Sequence, residues 1–146
     1  MTKEMPWKQV RSGEITVDSA AEESVCPKAW GEAYALRRPS RCLRFVNASG
    51  GQTGHYGEKT ATFRAGADQA VVSLGFQVSD VQKPLAAVWR TVEKGNVVQF
   101  GPKEEDNYIQ NVESRKKIFM VRKGGSYVIE AEYVAQEPGF PRQAEM

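Results

Sequence analysis

Glycine, asparagine, aspartate and proline break this chain at close intervals, and short runs rich in valine, isoleucine, threonine, phenylalanine and tyrosine fill the gaps. Branched and aromatic side chains fit a pleated, half-buried surface. The rhythm therefore predicts a mainly β protein. Ser12-Gly13 turns into the alternating strand Glu14–Val17, and Leu43–Val46 alternates in the same way before the loop 47–52. The paired glycines of that loop, Gly50 and Gly51, accept the positive φ of tight hairpin turns. Tyr56–Phe63 is the predicted return strand, and Ala70–Val78 a further strand interrupted at Gly75. Pro84–Lys94 lacks turn residues and is predicted to carry one short helix closed by Gly95-Asn96. Val97–Phe100, Tyr108-Ile109, Ile118–Val121 and Tyr127–Ile129 continue the β pattern, with Lys123–Ser126 as a hairpin between the last two. Many short strands with one helix predict a closed β-barrel or sandwich.

At 146 residues the chain is long enough for one core. The expected organisation is a single domain over residues 8–134, with tails at 1–7 and 135–146. A net charge of +2 is too small to make nucleic acid the expected partner, and the basic clusters at 37–38 and 115–117 are read as solvated faces. A β-barrel that binds RNA is the weaker third reading, because basic residues do not cluster on aromatic-bearing strands. No apolar run reaches the length of a membrane-spanning helix, and the N-terminal residues lack a signal peptide's apolar core. Cys26 and Cys42 fall in no metal-ligand spacing, so no metal and no cofactor is expected. Two free thiols are favoured over a disulfide, which points to a cytoplasmic setting. His55, Trp30, Trp89 and Tyr56 are read as surface or packing residues, and Glu22 and Glu23 as solvent-facing.

The stretch that carries chemistry is Ile15-Thr16-Val17-Asp18-Ser19-Ala20-Ala21, followed by Ser24-Val25. An apolar strand runs directly into a carboxylate, and small residues follow it. A charge at the end of a buried strand needs compensation, and small neighbours let a second backbone approach.

This segment resembles the active-site loop of the retropepsins, the single-domain aspartic proteases of retroviruses and retrotransposons, whose signature is Asp-Ser/Thr-Gly-Ala after a hydrophobic strand. The later features follow in a similar order. The glycine-rich loop with Ala48, Ser49, Gly50, Gly51 and Gln52 resembles the flap that covers substrate. Phe76–Val81 and then Pro84-Leu85 resemble the second-half strand, its apolar turn and helix. The strand at 125–129 lies where the family places dimer-interface pairing. The resemblance spans residues 8–134 and implies a closed acid-protease barrel with one short helix. It also implies an aspartic endopeptidase in which Asp18 is the catalytic carboxylate, supported by Ser19, Ala20 and Ala21.

Catalysis of this kind uses two carboxylates sharing one proton. The ionised one activates water and the protonated one polarises the scissile carbonyl. The remaining aspartates, at 68, 80 and 106, are followed by Gln69, Val81 and Asn107, so no second such loop exists here. One loop per chain implies a homodimer with the site on its twofold axis and an extended polypeptide as substrate. Ala20 stands where the family carries glycine. The added Cβ points to impaired activity, and the alternative reading is an inactive retropepsin-fold module that dimerises or binds extended peptides.

Overall fold

The structure, a computed structural model, describes residues 10–31, 34–40, 45–46, 52–65 and 70–134. These form a mainly β protein with one short helix. In chain order the strands are β1 (Val10–Asp18), β2 (Val25–Pro27), β3 (Phe45–Val46), β4 (Gln52–Thr53), β5 (His55–Ala65), β6 (Ala70–Ser79) and β7 (Leu85–Ala87). The helix α1 (Val88–Glu93) follows, then β8 (Asn96–Gln99), β9 (Tyr108–Asn111), β10 (Lys117–Phe119), β11 (Val121–Lys123) and β12 (Ser126–Val134).

Strand pairing closes on itself. The order β1-β7-β2-β6-β5-β12 returns to β1 through an antiparallel β1–β12 ladder, and β11 is added at the edge of β12. Two pairings within the ring are parallel, β1 with β7 and β2 with β6. The alternating residues of the long strands fill its interior. Ile15 lies opposite Ile129, and both are fully buried with Phe63, Phe76 and Val78. A separate sheet, β10-β9-β8, lays the matched row Val98, Ile109 and Ile118 against the same core. No helix among the described residues is long and apolar enough to cross a membrane.

The expected short helix is present within Pro84–Lys94, and two further local expectations are corrected. Pro84–Lys94 is a helix only over Val88–Glu93, because Leu85–Ala87 is drawn into the ring between β1 and β2. Ile118–Val121 is not one strand. Met120 donates its N–H to the Asn107 carbonyl, so the chain leaves the three-stranded sheet there and joins the ring as β11. Gly75 does not interrupt β6, since it pairs with Thr60 and a Cβ there would meet nothing within 4 Å. Gly57 is a glycine that the fold requires. It sits at a β5 bulge with φ +146°, and a Cβ would lie 2.3 Å from the Arg37 carbonyl oxygen. The expected tails lie outside the described residues.

Candidate active site

Asp18 is the last residue of β1 and stands level with Ala87 on parallel β7, while its neighbour Val17 pairs with Tyr127 on β12. β1 is therefore flanked on both sides, and its carboxylate emerges at the rim of the ring with its side chain partly exposed. Asp18 Oδ1 accepts the Ala20 N–H at 2.9 Å, which closes the turn after the strand. Ser19 and Ala20 are exposed, and Ala21 is half-buried. Arg115 is the one non-glycine residue with positive φ among those described, so Ala20 carries no left-handed strain.

Three contacts fix the segment from Asp18 to Ser24 against β7 and α1. The Ala87 N–H donates to Ser24 Oγ at 2.9 Å, and the Trp89 indole N–H donates to the Glu22 carbonyl at 2.6 Å. Arg90 Nη2 meets Glu23 Oε2 at 2.6 Å, with side-chain exposures of 24% and 14%. The Glu23 hydrogen bond is the chief cause that raises the Arg90 pKa above its ordinary value. The guanidinium also bonds Glu93 at 3.0 Å and lies 4.0 Å from the Trp89 ring centroid. Glu23 is thus a structural partner and not the solvent-facing residue expected. Trp89 is 45% exposed, where packing was expected.

In front of Asp18 lies an open cleft of about 580 Å³. Asp18, Ser19, Lys83 and Leu85 line it together with Phe100 and Tyr127, whose rings meet edge-on at 4.7 Å. Behind the loop, a second cavity of about 320 Å³ is polar, with Arg37, Glu58, Gln77 and Arg90 among its lining residues. Burial raises the Glu58 pKa, but hydrogen bonds from Gln77 and Ser40 and the nearby Arg37 outweigh it, so the carboxyl lies below its ordinary value. Gln77 also meets His55 Nε2 at 2.8 Å, so His55 belongs to this polar cluster. Among the described residues no three His, Cys, Asp or Glu side chains gather as a metal site requires.

No family model, curated protein or solved structure matches this chain.

Of the expected flap, Ala48, Ser49, Gly50 and Gly51 lie outside the described residues. Gln52 begins β4, which pairs with β3 through Phe45–Thr53 and Val46–Gln52, so the flanks of the loop form an antiparallel hairpin. Its base is tied to the ring. Asp80 accepts the Gly54 N–H at 3.0 Å and the Tyr56 hydroxyl at 2.7 Å, and these bonds, Tyr56 first, hold the carboxyl below its ordinary pKa. Tyr56 was read as a packing residue. Its ring is exposed, and it lies 4.4 Å from Lys28 Nζ.

The strand expected at a subunit interface, 125–129, falls in β12. Both edges of that strand are occupied within the chain, by β1 on one side and by β11 and β5 on the other. Among the described residues most of its length is paired on both sides. Lys83, Phe100, Ser24 and Arg90 were not singled out from sequence as site residues. Each enters the site through a partner at least 60 residues away or through strand register, and no local pattern marks that.

Proposed function

We propose that the chain is an aspartic endopeptidase of the retropepsin type. In this reading the six-stranded ring is that family's closed barrel, the chain works as a twofold pair, and each subunit supplies one Asp18. The observation that carries the proposal is the Asp18-Ser19 turn at the mouth of an open cleft, followed by residues 22–24 that Ala87, Trp89 and Arg90 brace. Catalytic groups need such support, because a loosely held carboxylate loses the geometry that brings water and carbonyl together. The order of features agrees with the resemblance as well: carboxylate loop, hairpin, paired long strands, apolar turn and helix.

The chemistry follows from symmetry. Two Asp18 carboxyls on a twofold axis share one proton, because close like charges cannot both ionise. The ionised partner takes a proton from water as the oxygen attacks the peptide carbonyl. The protonated partner donates to the developing oxyanion, and collapse of the tetrahedral adduct passes a proton to the leaving amine. The substrate is an extended polypeptide. A cytoplasmic setting fits Cys26, a buried free thiol.

A second reading rests on Ala20, whose Cβ occupies exposed surface beside the carboxylate. An added methyl there crowds the facing loop, and the outcome is a module that binds peptide without cutting it. Solution mass and peptide cleavage across acidic pH distinguish the two. Dimeric mass with turnover abolished in Asp18→Asn supports the enzyme. A monomer with no turnover, in the native chain and in Ala20→Gly alike, refutes it. Turnover appearing only in Ala20→Gly supports the binding module.

A further inference from the structure

The cleft at Asp18 contains one positive group. Lys83 is exposed, lines the cleft with Leu85, Phe100 and Tyr127, and no carboxylate among the described residues pairs with it. Of the neighbouring basic residues, Arg90 is held by Glu23 and Glu93 and Lys123 by Glu14 and Glu130, while Arg122 on β11, which pairs with Tyr127, does not line the cleft. An uncommitted ammonium in a cleft with an aromatic wall is a recognition element: it favours a negative side chain and disfavours a positive one.

Strand register sets the distance. Leu85 stands opposite Thr16 and Ala87 opposite Asp18, while the Thr16 N–H is bonded to the Pro84 carbonyl at 3.2 Å. Lys83 lies in the bend before β7, four positions before the level of Asp18, so its backbone is at most about 13 Å away at ~3.3 Å per residue. The flexible lysine stem shortens that span. An extended peptide covers the remainder in about two to four residues.

Resting on the polypeptide reading above, we infer that Lys83 sets substrate preference. The cleft takes extended polypeptides that carry aspartate or glutamate two to four residues from the residue seated over Asp18, with an apolar side chain against the Phe100–Tyr127 pair. Lys83 is exposed, so the expected discrimination is modest, roughly five- to tenfold between an acidic and a basic peptide at low salt.

The test uses the full chain carrying Asp18→Asn, which removes turnover and leaves binding to be measured. Three fluorescent decapeptides, identical except for Glu, Gln or Lys three residues from a central Phe, are titrated by anisotropy at low and high salt. The expected order is Glu, then Gln, then Lys, with the differences shrinking at high salt. Adding Lys83→Gln should flatten the series and Lys83→Glu should invert it, with circular dichroism showing that each variant is folded. An unchanged order in Lys83→Glu, or equal binding of all three peptides to the parent, overturns the role of Lys83 alone. No saturable binding of any peptide overturns the polypeptide reading together with it.

Discussion

Arg90→Met tests whether the brace on the Asp18 loop carries energy. Methionine keeps most of the stem and removes the guanidinium. The bond lost to Glu23 joins two charged groups in a partly shielded place, with side-chain exposures of 24% and 14%. A hydrogen bond to a charged group is worth about 1.5–3 kcal/mol, below the cost of breaking a fully buried pair. The Glu93 contact involves a half-exposed carboxylate and adds a few tenths of a kcal/mol. Loss of the stack on Trp89, itself 45% exposed, adds about 0.5 kcal/mol. The sum is about 2–4 kcal/mol, which for a chain of this size lowers Tm by roughly 6–12 °C. Calorimetry on Arg90→Met, Glu23→Gln and the double variant should give a coupling of about 1–2 kcal/mol. Amide exchange over residues 18–24 should quicken in each single variant. A Tm change under about 2 °C, or a coupling under about 0.5 kcal/mol, would show that the contact does not hold the loop.

Three further outcomes follow from the same contacts. Burial pushes the Cys26 thiol from 9.0 up to about 12, with Lys59 opposing the shift. The folded state thus disfavours the thiolate, and stability should fall as pH rises from about 9 towards 12; denaturant titrations should show a shallower fall in Cys26→Ala. Lys59 is 4% exposed and donates to the carbonyls of Lys28 and Trp30 at 3.2 and 2.9 Å. Lys59→Met should cost about 2–4 kcal/mol by taking the donor from both carbonyls, and an unchanged denaturation midpoint would contradict this. The Asp80 carboxyl lies below its ordinary value of 3.8, so its bonds to Gly54 and Tyr56 are present above that pH and are lost as pH falls through the lowered value. Asp80→Asn should speed amide exchange at Gly54 at neutral pH, and unaltered exchange would separate Asp80 from the hairpin base.

Much of the β content was legible because its causes are local. Alternation in Glu14–Val17 became part of β1, and the glycines at 124–125 joined β11 to β12, with Gly124 at φ +59°. Leu85-Ala86-Ala87 was not legible as a strand. Its residues suit a helix, and only the neighbouring β1 and β2 make extended backbone the better choice, by completing hydrogen bonds in a place where Ala86 and Ala87 are fully buried. The end of β10 is another such case, since the Asn107 carbonyl that bonds Met120 is set by a different loop.

The candidate site divides in the same way. Residue types and their order singled out Asp18 and its turn, because a carboxylate after an apolar strand is a local pattern. The braces on that turn, the cation in its cleft and the occupied edges of β12 come from segments far apart in the chain. By itself the sequence indicated most of the longer strands and a carboxylate at the end of one of them, since turn chemistry and side-chain alternation act between near neighbours. Only the tertiary structure decided what surrounds that acid, because parallel pairing and ring closure join residues that no local periodicity connects.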